Sequence, residues 1–284
     1  MACLLPTPAP AHPGSGIVVD SLGQIYFVDM VSGVWKLDAH GALTRIPGPA
    51  FHWMTLDAGG TFGAFPLPSG PGWEIARIGV NPRLLLASDF PIALGRDGNL
   101  YYPSHDGGAP LQILRTLPSG KTSILASLPA TTARGPLRDL NGLAAGPESS
   151  LYYTENDAIR RITKEGRVST VVENLALAGC TSIPGRGAGD RPLLRGLDVD
   201  AAGTIYVAAT GCGSVIKVAP AGHVTILPKV PGAWAPTGVA LFGNDLYVLE
   251  FQNAESDDRR EMLPRVGKIT PDGKIAVIVT VTRH

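Results

Sequence analysis

The stretch Arg138-Asp-Leu-Asn-Gly-Leu-Ala-Ala-Gly-Pro-Glu-Ser-Ser-Leu-Tyr-Tyr-Thr-Glu-Asn-Asp-Ala-Ile-Arg-Arg-Ile-Thr-Lys-Glu-Gly166 holds one complete structural unit. A short apolar run follows Asn141, and turn residues from Pro147 to Ser150 end it. Leu151 to Thr154 reads as a strand, Glu155 to Asp157 as a polar break, and Ala158 to Thr163 as the next strand. A Lys-Glu-Gly turn then leads to Val168–Val172. Four short strands in series, separated by turn residues, predict one antiparallel sheet.

The rest of the chain repeats this design. Gly16 to Ile46 is a first unit. His52 to Ala87 is a second, less regular between Trp73 and Ile78. Phe90 to Leu125 is a third, and the opening stretch is the fourth. Arg195 to Leu227 and Thr237 to Val281 complete the set. Tyr26, Tyr101, Tyr152, Tyr206 and Tyr247 hold one place in five units, with Phe62 expected there in the other. Spacings of about 40 residues are those of propeller blades. One such sheet cannot bury both its faces, whereas six around an axis can. The expected fold is therefore all-β: a single-domain, six-bladed β-propeller of four-stranded antiparallel blades at about 16–48, 50–88, 90–127, 139–173, 195–228 and 237–282, preceded by an extended arm over residues 1–15. A β-sandwich of similar strand count would not repeat the phrase Asp-x-x-Gly-x-Ile/Leu-Tyr. Each unit supplies its own first and last strand, so apolar packing between blades one and six, helped by the arm, is expected to close the ring.

Composition narrows the function. The 284 residues carry 35 Gly and 25 Pro, too many for a helical protein, and are 44% hydrophobic, enough for a large core. The formal net charge is zero, and no basic cluster interleaves with aromatics, so nucleic acid is not an expected partner. No apolar run approaches the roughly 20 residues that cross a bilayer, so no membrane is expected. The segment Met1 to Gly16 has neither a basic start nor a long apolar core, and as supplied does not read as a signal peptide. Cys3, Cys180 and Cys212 contain no CxxC pair. They read either as three buried, inert thiols or, since Cys180 and Cys212 fall on loops that open on one face, with those two as a disulfide; a pair there would imply an oxidising compartment, secreted or periplasmic.

Propeller geometry sorts the loops onto two faces. Turns such as Asp97-Gly98, Glu165-Gly166 and Asp272-Gly273 are short. The insertions, Ala126–Leu140, Glu173–Leu194, Pro228–Pro236 and Glu250–Pro264, fall on the opposite face. That face also collects His12, His52, Asp89, Asp139, Asn141, Arg195 and Thr237 at the starts of inner strands, and Asp29, His105, Asp106, Glu155, Asn156 and Glu250 from the second set of loops. A guanidinium beside a narrow channel needs a carboxylate or an anionic ligand, so Arg195 is either a bridge to Asp139 or Glu155 or part of a binding site. His52, next to Trp53, is either a base or metal ligand or a hydrogen-bonded core residue. The run Glu255–Glu261 is a solvated loop or a lid.

In these phrases the chain resembles the six-bladed propellers that include NHL-repeat proteins and the senescence-marker, regucalcin and gluconolactonase group. The residues that carry the resemblance are Val19–Asp29, Asn141-Gly-Leu-Ala with Leu151-Tyr-Tyr, and Gly196–Ala208. The lactonase branch implies a divalent, calcium-type cation held by a Glu at the first blade, Asn residues from two blades and an Asp from a fourth. Asn141 matches one Asn by its context. Ser15 or Gly16 stands where the Glu is expected, Phe90 where the other Asn is, and Arg195 where the Asp is. A cation in place of a hard oxygen ligand would repel the metal, so the inherited site requires Asp139, Asp89 or Glu155 to rebuild it. NHL-type amidating lyases imply a His-rich zinc centre with an Arg, and the His spacing here does not support one.

The expected function is that of a soluble, bacterial-type propeller binding a small polar or anionic molecule at the loop-rich mouth of its channel, with hydrolysis of a lactone or ester as the catalytic form. Arg195 would hold the anion or oxyanion, Asp139 or Glu155 would act as base, and Asn141 would orient the substrate; His52, Asp89, Thr237 and Glu250 would line the site. The alternative is a non-catalytic protein- or peptide-interaction module anchored by Trp234, Phe251 and Met262.

Overall fold

The computed structural model describes residues 13–70, 73–79, 81–104, 110–129, 140–177, 180, 192–229, 232–252 and 260–282. Six antiparallel sheets follow one another along the chain. Blade one holds β1 (Ile17–Val19), β2 (Ile25–Asp29), β3 (Gly33–Leu37) and β4 (Leu43–Ile46). Blade two holds β5 (Trp53–Asp57), β6 (Ile75–Ile78) and β7 (Arg83–Ala87). Blade three holds β8 (Ala93–Leu94), β9 (Leu100–Pro103), β10 (Gln112–Thr116) and β11 (Thr122–Ser127). Blade four is β12 (Gly142–Ala145), β13 (Leu151–Thr154), β14 (Ile159–Ile162) and β15 (Val168–Val172). Blade five is β16 (Leu194–Val199), β17 (Ile205–Ala209), β18 (Ser214–Val218) and β19 (Val224–Ile226). Blade six is β20 (Trp234–Phe242), β21 (Asp245–Gln252), β22 (Pro264–Ile269) and β23 (Ile275–Thr280).

The repeated phrase has a local cause. Asp20 Oδ1 accepts the Leu22 and Gln24 amides, and its Oδ2 accepts the Tyr26 hydroxyl at 3.1 Å. Asp97 does the same for the Asn99 amide and the Tyr101 hydroxyl. Gly23 and Gly98, at φ 77 and 76, take the left-handed conformation that lets the hairpin close. The tyrosines then recur at one register position. They lie opposite Val18, Ala93, Ala144, Asp198 and Ala240 on the inner strands. On their other side they lie opposite Lys36, Arg115, Arg161, Lys217 and Lys268. Four of these basic groups stand about 6 Å from the ring they cover, a placement that favours the cation electrostatically.

Blade two departs from this plan, with three strands among the described residues. Its spatial order is β5-β7-β6, so the strand beside the inner one comes last in sequence. Leu85, opposite Thr55, holds the place of the tyrosines. The expectation that Phe62 would do so is corrected: Phe62 lies in a short 3₁₀ turn, Thr61–Gly63, outside the sheet, and is fully buried against Leu85 and Phe90. The Asp57 carboxylate fixes this turn by accepting the Thr61 and Phe62 amides, and Arg77 and Arg83 donate to carbonyls of the same excursion. The phenylalanine is core because it follows an Asx-capped turn, a signal that resembles the propeller phrase at short range.

The first strands of the six blades, β1, β5, β8, β12, β16 and β20, succeed one another around the axis, and β20 returns to β1. Closure between blades one and six comes from side chains. Ile17, Val28 and Val34 share one core cluster with Leu249, Phe251, Met262, Val266 and Val281. Among the described residues no segment before Gly16 adds a strand to blade six. Phe251 and Met262, at 2% and 8% exposure, are therefore part of the seal, and the expectation that they anchor a partner is corrected.

Candidate functional site

Each inner strand is paired on one side only, so six unpaired edges face the axis. They enclose a cavity of about 310 Å³, lined in every blade by the middle of the inner strand, from Ile17–Val19 and Met54–Leu56 around to Leu197–Val199 and Val239–Leu241. Its walls are backbone N–H and C=O groups with small or aliphatic side chains. Two of these N–H groups are taken up by a neighbouring blade: Leu94 N donates to Thr55 Oγ1 and Leu241 N to Asp198 Oδ2, at 3.1 and 2.8 Å.

At the insertion-bearing end the channel is pinched. Gly16, Gly142, Gly196 and Gly238 each immediately precede the first cavity-lining residue of their blade. A Cβ at Gly238 would stand 2.2 Å from the Ser15 carbonyl oxygen, one at Gly196 2.9 Å from the Gly238 Cα, and one at Gly142 2.5 Å from the Arg195 carbonyl oxygen. These contacts are backbone on backbone and have no room to relax, so only glycine fits. The chain's own residues 13–16 cross the same place. Arg195 Nη1 donates to the Pro13 carbonyl at 2.7 Å and Thr237 Oγ1 to the Gly14 carbonyl at 2.7 Å, while the Ser15 and Gly16 amides both donate to the His52 carbonyl.

The residues expected at this mouth are placed as follows. His52, Asn141, Arg195 and Thr237 sit together at the inner-strand starts. His52 is buried, with Nδ1 3.1 Å from Asp89 Oδ1, and Asp89 is largely exposed. Asn141 Nδ2 donates to Asn156 Oδ1 at 3.0 Å, and Asn141 and Arg195 are joined through Thr154, whose carbonyl accepts the Asn141 amide and whose hydroxyl donates to the Arg195 carbonyl. Glu155 turns outward in its own blade, where it accepts from Arg160 Nε at 3.1 Å. Glu250 is buried against Arg265 at 2.8 Å, and that guanidinium lies 4.3 Å from the Trp234 ring centroid. Burial pushes the Glu250 carboxyl above its ordinary range while Arg265 pulls it back. Asp29 is tied into blade one, accepting the Val31 amide and the Trp35 indole. Asp139, His12, His105, Asp106 and the run 255–259 lie outside the described residues.

The donor set does not fit the cation of the lactonase branch. Phe90 is fully buried in an aromatic cluster, stacked on Trp73 at 4.5 Å. Arg195 brings a positive charge to a position that needs an oxygen, and among the described residues no three His, Cys, Asp or Glu side chains gather where they could hold a metal.

At the short-turn end two residues that sequence reasoning passed over face the cavity. Asp198 occupies the inner-strand position that is Val18, Thr55, Ala93, Ala144 and Ala240 in the other blades. Its two oxygens each accept an amide, Val199 N and Leu241 N, and burial pushes its carboxyl up to about 6, against the pull of those amides and of Arg96. Arg96, in the β8–β9 turn, reaches past blade four to the Val199 carbonyl of blade five at 3.4 Å. The signal available in sequence was the Asp in Gly196-Leu-Asp198, one carboxylate in a row of small apolar residues.

Cys180 and Cys212 are joined, with S–S 1.98 Å and Cα atoms 3.9 Å apart, linking the segment before blade five to its β17–β18 loop. Among the described residues no helix is long and apolar enough to cross a membrane.

No protein-family model and no curated protein matches the chain. Solved structures do. Virginiamycin B lyase from Staphylococcus aureus is 17% identical over 98% of this chain and 87% of its own, with a TM-score of 0.53. Regucalcin from Agrobacterium tumefaciens, a calcium-binding protein, is 16% identical over 89% and 86%, with a TM-score of 0.56. A gluconolactonase-like protein is 19% identical over 82% and 84%, with a TM-score of 0.55. At such identities the likeness is one of fold: the chain is a six-bladed β-propeller similar in fold to the gluconolactonase-like, regucalcin and virginiamycin B lyase structures.

Proposed function

We propose that the protein binds a small polar or anionic molecule in its axial channel and, in the catalytic form of this reading, hydrolyses a lactone or ester. The observation that carries it is the cavity of about 310 Å³ enclosed by six unpaired strand edges, a size suited to a small metabolite and walled by hydrogen-bonding groups. In the catalytic form Arg195 holds a carboxylate or a developing oxyanion, Asn141 orients the substrate, and Asp139 or, once released from Arg160, Glu155 takes the proton. Because Arg195 donates to the Pro13 carbonyl, that role requires residues 13–16 to move aside. Among the described residues Ser15 Oγ is buried there with no hydrogen-bond partner, a mismatch of about 1–3 kcal/mol that weakens the segment's hold. A Cys180–Cys212 bridge fits a secreted or periplasmic setting.

The test is a lactone and ester hydrolysis screen, with a neutral-compound binding screen and metal analysis of the purified protein beside it. Turnover that falls at least about tenfold in Arg195→Gln, which removes a charge-assisted donor, supports the catalytic form. Binding without turnover leaves the simpler one. No ligand and no turnover from either screen would count against the channel as a small-molecule site.

A second reading has its own support. Residues 13–16 lie extended across the mouth, gripped through their backbone by Arg195, Thr237 and His52, which is how a groove holds a peptide. In this reading the propeller is a peptide-interaction module whose own segment occupies the groove. A synthetic peptide of residues 10–16 added in excess should then compete with the segment and deprotect the Ser15 and Gly16 amides in hydrogen exchange.

A further inference from the structure

We infer that the short-turn end of the channel is a binding site for a small carboxylate, held by the guanidinium of Arg96 beside Asp198. The inference rests on the channel being the ligand cavity and specifies which end recognises charge. Arg96 lines the cavity and is exposed, so its charge is available to a molecule entering from that side. Its hydrogen bond to Val199 O at 3.4 Å is longer than the usual 2.7–3.2 Å, and a guanidinium has five N–H donors. A carboxylate accepts two of them in parallel, in shorter and stronger bonds than the carbonyl offers. The body of the molecule would then lie along the strand edges above it, between Leu56, Leu94, Val199 and Leu241.

Asp198 selects the kind of anion. Asp198 lines the cavity, and its carboxyl is close enough to feel Arg96. At pH 7, above its value of about 6, Asp198 is largely ionised, so a singly charged carboxylate meets one unit of repulsion there, which the Arg96 charge offsets. A phosphate, with nearly two charges at neutral pH, meets about twice as much. No other inner strand has an ionisable group at this position. The opposite end is narrowed by Gly142, Gly196 and Gly238 and crossed by residues 13–16, so the approach open among the described residues is from the short-turn side.

The experiment is a titration of the uniformly 15N-labelled full chain with sodium propionate at pH 7, with matched sodium chloride as control. It is read at the Val199 and Leu241 amides, both of which donate to Asp198. The expected result is a saturable shift with propionate alone. Arg96→Gln should weaken that binding about tenfold or more, the cost of one charge-assisted hydrogen-bonding partner. Asp198→Asn, which removes the repelling charge, should strengthen it several-fold, an effect that a merely structural role for Asp198 does not produce. Arg195→Gln is the comparison for the opposite mouth, and any weakening it causes should be smaller than that of Arg96→Gln. If Arg96→Gln does not fold, Arg96→Lys, which keeps the charge but loses the fork, should bind with intermediate strength. Shifts no different from chloride, or unaltered by the Arg96 substitution, overturn the inference. Should neutral compounds from the binding screen still shift the channel amides, the channel survives as a ligand site and only its carboxylate specificity falls. Control by Arg195 instead of Arg96 would return recognition to the opposite mouth.

Discussion

The two ends of the axial channel are made by the same six strands and behave as different materials. At the insertion-bearing end backbone packs on backbone through Gly142, Gly196 and Gly238, and residues 13–16 are pinned across the gap by Arg195, Thr237 and the His52 carbonyl. At the short-turn end the groups that reach from one blade to another are side chains, Arg96 and Asp198. A side chain at these glycines would meet neighbouring backbone at 2.2–2.9 Å and has no room there, whereas an exposed guanidinium can exchange one acceptor for another. Among the described residues the glycine-lined end is therefore the rigid, filled end of the channel, and the short-turn end is the adjustable one.

The comparison breaks most readily at the disulfide, which lies on the rigid side. Replacing Cys180 and Cys212 by Ala reopens a connection with a sequence separation of 32 and should cost about 3–4 kcal/mol in denaturant melts if chain entropy dominates. Propionate binding at the other end should not change; if it does, the two ends are not independent.

Glycine substitutions give the next largest contrast. Gly238→Ala drives a Cβ to 2.2 Å from the Ser15 carbonyl oxygen and should cost about 2–3 kcal/mol by overpacking, with faster hydrogen exchange at the Ser15 and Gly16 amides. Gly243→Ala, in the β20–β21 hairpin, meets no atom within 4 Å and strains only a φ of 60, so about 1 kcal/mol is expected. Equal costs would mean that the pinch is not tighter than an ordinary turn.

The smallest effect is a pH dependence at the adjustable end. Asp198 is raised from 3.8 to about 6 in the folded protein, chiefly by desolvation. The folded state thus holds this proton more tightly than the unfolded chain. The associated stability is full below pH about 4 and is lost as pH rises through about 6; allowing for water in the channel, it amounts to about 1–2 kcal/mol. Unfolding free energies from pH 4 to 7 should fall less steeply in Asp198→Asn, and an unchanged slope would place the carboxyl in ordinary solvent.

Much of this was legible in the chain. The phrase around Asp20, Asp97 and Asp200 announces a turn whose carboxylate caps its own amides, a local interaction that sequence expresses directly. The small loops and the cysteine pair follow from counting blades. What did not follow was the partner of each side chain. Arg195 meets a residue 182 positions away, and Arg96 one 103 positions away across a blade; no local pattern encodes a bond that crosses the ring. Blade two misled for a related reason. Its Asp57 turn copies the local chemistry of the repeat while the chain takes another route, so Phe62 imitates a tyrosine it does not replace.

The seal between blades one and six bears on how the molecule comes together. Every sheet pairs strands from one continuous stretch of chain, so the blades can zip early, through neighbours close in sequence. Joining Ile17 and Val28 to Leu249 and Val266 spans nearly the whole polypeptide and, among the described residues, engages no main-chain ladder. That union is expected to be the late, rate-setting event of folding, and the seam it leaves is where the annulus would first part under tension.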